Sequence, residues 1–324
     1  MLILRFTIYF FLFACYNISI KILIQRMKPM IYSIENDFLF VSVDSFGAQL
    51  ASIRSKKTNF EYLWQGDKTY WGGRAYNLFP IIGRMYDGVY TYRGETYKMR
   101  PHGLIRYYDL ALTSQTETEL VFTLTHESAE DILSQYPFRF SYSVRFALDG
   151  NRLTVSYKVL NLETERDLIC AFGGHPGINV PFDGGSFEDY YVEFSAPIPA
   201  MQHLLSENKF MDGAITPYYP QGGKRIPLQH SLFDNDALIL SSTSGTASIK
   251  KSGSNCSVTM HYPDFKYFAL WHAVCTDAPY VCLEPWQALC STDGTVDDLE
   301  DKEDMIHVPP QEESGISFSL EINE

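Results

Sequence analysis

The sequence predicts an all-β protein built as one large antiparallel sandwich. Three observations carry this. Runs rich in Val, Ile, Tyr and Phe recur along the chain with turn residues between them. Tight hairpin signals join several of these runs. Helical patterns are few and short, so strands do not alternate with helices as in a barrel of βα units or a doubly wound sheet. The 22 Tyr and 22 Phe of the 324 residues lean the same way, since aromatic side chains suit a pleated, half-buried surface.

Taken in order, residues 38–43 form a short apolar strand, followed by Gly47 and a second run at 48–53. Residues 89–92 and 95–99 flank Arg93-Gly94, a two-residue hairpin signal. Residues 120–125 read as a strand, and 129–135 as a short helix. Residues 140–148 and 152–159 flank Asp149-Gly150-Asn151. In the second arm Leu153, Val155, Tyr157 and Val159 alternate with Thr154, Ser156 and Lys158, the period of a strand with one wet face. A second helix is expected at 202–208. Further strands follow at 237–240, 257–261, 267–273 and 280–283. Residues 293–304 carry seven acids and one Lys and read as a solvated loop. No internal repeat and no Pro/Gly/Ser linker divides the chain, so residues 30–324 are expected to form a single domain.

Residues 1–29 stand apart. They hold four cations and no acid, which leaves the remainder with 22 cations against 39 acids, a net −17. So acidic a body is a poor partner for nucleic acid or anionic lipid. The apolar run at 6–15 is too short for a span of about 20 residues. It has the length of a signal-peptide apolar region, and Leu12-Phe13-Ala14-Cys15 resembles a lipoprotein cleavage box with a bulky Phe13. The alternative is a start of translation at Met27 or Met30. The expected location is cytoplasmic, or exported and lipid-anchored if this segment is a working signal; contact with a membrane is expected only in that case. The six Cys show no C-x-x-C pair and no zinc spacing, and they are expected to be reduced thiols.

Motifs for a serine nucleophile, a P-loop, a dinucleotide fold and a zincin are missing. Three clusters remain. In the first, Asn77-Leu-Phe-Pro-Ile-Ile-Gly-Arg84 is followed by Pro101-His102-Gly103-Leu-Ile-Arg106. The stem of Arg84 is held by an apolar run while its head projects, and His102 sits on a loop. In the second, Phe172-Gly-Gly-His175-Pro-Gly-Ile-Asn179, glycines permit close approach to a ligand and Pro176 stiffens a loop that presents His175. In the third, Glu284 ends the apolar strand of Val281-Cys-Leu-Glu-Pro-Trp286. An unpaired carboxylate in a core is costly, so it faces a pocket, where desolvation raises its pKa, or pairs with an arginine. Trp286 offers a flat face on which a sugar ring can stack. Each histidine also has a structural reading as a turn residue bonded to backbone. Two histidines, a carboxylate, an arginine and a tryptophan suit proton transfer on a polar neutral substrate. Zinc at His102, His175 and Glu284 has suitable donors, but spacings of 73 and 109 residues carry no metal signal. No metal and no cofactor are expected.

At these residues the chain resembles the aldose 1-epimerase (galactose mutarotase) family, in its bacterial branch. The matching pieces are IYSIENDFL at 31–39, FGAQLASI at 46–53, NLFPIIGRMYDGVY at 77–90, HGLIR at 102–106, GGHPGINVPF at 173–182 and LEPWQ at 283–287. They recur in the family's order. The resemblance implies a β-supersandwich with its cleft on a concave sheet face and a sugar as substrate. It implies Glu284 as general base, His175 as general acid, His102 as a second histidine that holds and polarises the sugar, and Arg84 as a ligand to sugar hydroxyls. A substrate-binding aspartate falls at Asp234 or Asp236. Trp286 and Asn179 complete the candidate binding set. Gln287-Ala288 stands where the family often has glycine, which touches the cleft rim and sugar preference.

The implied reaction interconverts α and β anomers of free aldoses by ring opening and closure. The alternatives are a sugar-binding protein without turnover and an epimerase of a hexose 6-phosphate, the latter opposed by the acidic body. Glu284 as carboxylate and His175 as imidazolium meet the demand for a base and an acid at one pH, the carboxylate raising the His pKa. On that reading Glu284 sets the acid limb of the pH profile and His175 the basic limb.

Overall fold

The computed structural model describes residues 30–324. The expectations for residues 1–29 lie outside the described residues. Residues Ile31–Glu324 pack as one unit. Two antiparallel sheets face each other. The larger has nine strands in the order Arg225–Pro227, Tyr190–Phe194, Thr246–Lys251, Ser257–His261, Glu313–Asn323, Arg152–Asn161, Phe140–Asp149, Glu119–Thr125 and Ala111–Gln115. The second has seven, in the order Met211–Pro217, Met201–Leu205, Leu238–Ser241, Tyr267–Trp271, Tyr280–Trp286, Gly173–Asn179 and Ala75–Leu78. A three-stranded sheet, Ile31–Glu35, Leu39–Asp44 and Gln49–Ser55, the hairpin Val89–Tyr92 with Glu95–Lys98, and the long-range pair Leu168–Cys170 with Ile306–Val308 complete the fold.

The period of two read at 152–159 is real: Leu153, Val155, Tyr157 and Val159 are buried while their neighbours are wetter. The Asp149-Gly150-Asn151 turn sets Arg152 opposite Asp149. The inner faces of both sheets form an aromatic-rich core. Tyr157 of the nine-stranded sheet stacks on Phe172, and its hydroxyl donates to Asn77 Oδ1 of the facing sheet at 3.0 Å.

Three local expectations change. The helix at 129–135 shortens to Ile132–Gln135. The helix expected at 202–208 is the strand Met201–Leu205, paired on both sides, because neighbouring strands outbid a weak local helical pattern. The acidic 293–304 loop is tied down: Leu299 is buried and Lys302 Nζ reaches Asp297 Oδ2 at 3.1 Å. No helix among the described residues is long and apolar enough to cross a membrane.

Candidate active site

The site is built on the face of the seven-stranded sheet that points away from the inter-sheet core. Strand alternation chooses its residues. On Tyr280–Trp286, Val281 and Leu283 enter the inter-sheet core, while Cys282, Glu284 and Trp286 face the other way. On Gly173–Asn179, Gly174 faces the core, where an added Cβ would meet the Phe318 ring at 2.6 Å. His175 faces the cleft. The expectation of a loop around His175 is therefore corrected: the segment is a strand paired on both sides.

Register brings the chemistry together. Gly173 pairs with Trp286 and Gly177 with Cys282, and the same offset sets His175 opposite Glu284. On its other side His175 pairs with Tyr76, and Glu284 pairs with Ala269, which pairs with Ile239. One row across five strands thus reads Tyr76, His175, Glu284, Ala269, Ile239. The small Ala269 leaves room beside the carboxyl.

His175 Nε2 lies 3.3 Å from Glu284 Oε2. Glu284 is 1% exposed. Neither its Oε2 nor His175 Nδ1 has a hydrogen-bond partner among the described residues. The imidazole stacks on Trp71 at 4.8 Å and meets the edges of Trp271 and His102 at 5.6 and 5.5 Å. Burial pushes the His175 pKa down to about 3, helped by the charge of Arg106. Burial likewise holds the Glu284 carboxyl well above the usual range, with the negative charge of Asp236 adding to it and the Trp286 side chain opposing it. This corrects the expectation that the carboxylate raises the histidine. An ion pair and a neutral pair hold the same single proton, and burial of both groups favours the neutral form, with the proton on the carboxyl.

His102 is held by the neighbouring motif. Its backbone N–H donates to Gly83 O at 2.7 Å, and its Nδ1 accepts from Gly83 N–H at 3.2 Å. Nδ1 as acceptor puts the ring proton on Nε2, which makes His102 a neutral donor. Burial, then the charges of His175, Arg106 and Arg84, keep its pKa well below the ordinary value. Two glycines make this clamp possible. Gly103, at φ 79°, would drive a Cβ into Phe79 O at 2.1 Å, and Gly83, at φ 64°, would drive one into Cys290.

The cleft has a volume of about 300 Å³. Of the residues singled out in the sequence, Glu284, His175, His102, Arg84, Asp236 and Trp286 line it. Asp234 does not; it is exposed after the short helical turn His230–Phe233, whereas Asp236 is half-buried at φ 80°, a strained conformation for an L residue. Asn179 is also corrected: its amide donates to the carbonyls of Glu61 and Leu63 at 2.8 and 3.0 Å, a structural task that takes both its protons. Sequence reading missed Trp71, Tyr76, Trp271 and Lys209, and it named Arg106 without placing it at the site. Arg106 stacks over Tyr76 at 3.6 Å. The aromatic-and-glycine run Trp71-Gly-Gly-Arg-Ala-Tyr76 was the available signal.

Comparison with known proteins agrees with this geometry. The profile of the aldose 1-epimerase family matches residues 30–297. Protein LacX (plasmid) of Lactococcus lactis subsp. lactis is 31% identical over 303 residues, covering 90% of this chain and 99% of that protein. The structure of a galactose mutarotase related enzyme from Lactobacillus acidophilus superposes with a TM-score of 0.85 at 30% identity, covering 91% of this chain and 98% of that one. A galactose mutarotase-like protein from Lactobacillus casei ATCC 334 gives 0.84 at 28% identity, covering 90% and 100%. By its residues, its fold and these likenesses, the chain belongs to the aldose 1-epimerase family.

Proposed function

We propose that the protein interconverts the α and β anomers of free aldoses, in the cytoplasm, without a cofactor. The observation that carries this reading is a buried His–Glu pair, 3.3 Å apart, that has polar atoms unpartnered among the described residues and faces an open cleft lined by Trp286 and Arg84. Opening the ring removes the C1 hydroxyl proton and protonates the ring oxygen. When the shared proton has moved from the carboxyl to the imidazole, Glu284 takes the first proton and His175 supplies the second. That step leaves Glu284 protonated and His175 neutral, which is the arrangement burial favours. Closure on the other face of the aldehyde runs the transfers backwards, so no net proton is consumed. His102, as a fixed donor, and Arg84 hold the sugar oxygens so that the open chain is not released. Asp236 accepts from sugar hydroxyls, and Trp286 gives the ring an apolar face.

A second reading has a specific observation behind it. Arg84, Arg106 and Lys209 line the cleft, and none forms an ion pair among the described residues. Such a cluster suits a hexose 6-phosphate despite the acidic body. Polarimetry on freshly dissolved α-glucose and α-galactose tests the main reading. It requires a faster decay of rotation with enzyme than without. Binding without acceleration supports a pure binder, and acceleration confined to glucose 6-phosphate, followed by exchange NMR, supports the second reading.

A further inference from the structure

The structure assigns a latent binding site for zinc or a similar divalent cation to His175, Cys282 and Glu284, and we infer that its occupation shuts the proton-transfer pair down. The zinc set weighed from sequence used His102. The fold brings Cys282 to the pair instead: a ring nitrogen of His175, Cys282 Sγ and a Glu284 carboxyl oxygen all lie within 4.8 Å of one another, and all three residues are buried. Cys282 and Glu284 are two residues apart on one strand and so share a face; His175 stands on the neighbouring strand.

The geometry is close to what the metal needs. Zinc bonds of about 2.0–2.1 Å to nitrogen and oxygen place those ligands about 3.3 Å apart in a tetrahedron. The His175–Glu284 separation is 3.3 Å. A thiolate at about 2.3 Å completes edges of about 3.6 Å, so Cys282 needs to close by little more than an ångström. One imidazole, one thiolate and one carboxylate form a donor set suited to zinc, with a fourth position left for water, and two of the three residues, His175 and Glu284, line the cleft. Glu284 Oε2 has no hydrogen-bond partner among the described residues, so a cation displaces no existing bond there. A cation held there occupies the lone pairs of both His175 and Glu284, so neither group is free to take or give a proton, while the thiol's proton leaves to solvent. The binding claim stands apart from the proposed mutarotation; the inhibition claim rests on it, and the two fail separately.

The test uses the full chain with cobalt(II) as the probe and zinc as competitor. A thiolate-to-cobalt charge-transfer band is expected at one equivalent, displaced by zinc. Cys282→Ala and Cys282→Ser should abolish the band, although Cys170, Cys256, Cys275 and Cys290 remain. They should weaken zinc binding by at least about tenfold, and Glu284→Gln should weaken it also. Zinc should suppress anomer exchange in the parent and far less in Cys282→Ala, whose exchange without metal stays near the parent's. Absence of the band, or its persistence in the folded Cys282 variants, overturns the site. A band with exchange unchanged or stimulated by zinc overturns the inhibition.

Discussion

Two glutamates lie buried on strands of this molecule, and they are held in opposite ways. Glu193, 9% exposed, is surrounded by Lys224, Arg225 and Lys250, whose nitrogens lie 3.4, 2.8 and 3.0 Å from its oxygens. Burial pushes its pKa up, but hydrogen bonds from Arg225, Lys250 and Lys224 overcome that and bring it to about 2. Glu284, 1% exposed, has no Lys or Arg paired with it among the described residues and a carboxyl held high. The first is what a carboxylate looks like when it serves the fold. The second meets burial by favouring its protonated form rather than by pairing with a fixed cation.

The sharpest break between them is removal of the carboxylate. Glu284→Gln should lower kcat by about 10²–10⁴ with the sugar still bound, and His175→Asn should do likewise. Glu193→Gln should leave kcat unchanged. Polarimetry on the folded variants decides, and near-full turnover in Glu284→Gln would remove the acid–base assignment.

The pH profile sharpens the contrast. The His–Glu pair works while it holds one proton. A second proton enters His175, whose pKa is near 3, so the acid limb of kcat/KM should lie well below the ordinary histidine range. The basic limb marks loss of the proton from Glu284, whose pKa is raised. This reverses the assignment expected from the sequence, because burial acts on both groups more strongly than they act on each other. Asp236→Asn removes a charge that raises Glu284, so the basic limb should move to lower pH; the acid limb should stay.

Arg84→Ala should act on binding, raising KM several-fold with a smaller change in kcat, because the exposed guanidinium grips hydroxyls rather than moving protons. The smallest effect belongs to the stability of Glu193→Gln, a loss of order 1 kcal/mol. Its sign with pH follows from the depressed pKa. The native advantage is complete above the unfolded value near 4.5 and fades as pH falls towards about 2. Urea titrations of both proteins at pH 7 and pH 3 should show the gap narrowing.

Much of the site was legible because its parts are local motifs: His102 beside Gly103, His175 after two glycines, Glu284 before Pro285 and Trp286. Strand existence was legible from alternation and turns. Register was not. Nothing between residues 76 and 175 announces that Tyr76 lies beside His175, and nothing local puts Cys282 behind the pair. Asn179 was read as a ligand by its place in the motif, whereas the positions of two backbone carbonyls settle its role. The sign of the His175 shift also depends on depth, which sequence does not record.

The row from Tyr76 to Ile239 also has a consequence for how the protein acquires its activity. Its five strands come from positions between 75 and 286, and the two joins that flank His175, to Tyr76 and to Glu284, link strands remote in sequence. Closing such long loops comes before the contacts that reward it, which makes non-local sheets slow to form. Hairpins such as Phe140–Asp149 with Arg152–Asn161 need no such closure and can form early. During refolding, then, secondary structure should return ahead of the proposed anomer exchange, which should appear only when the last strand of the row docks.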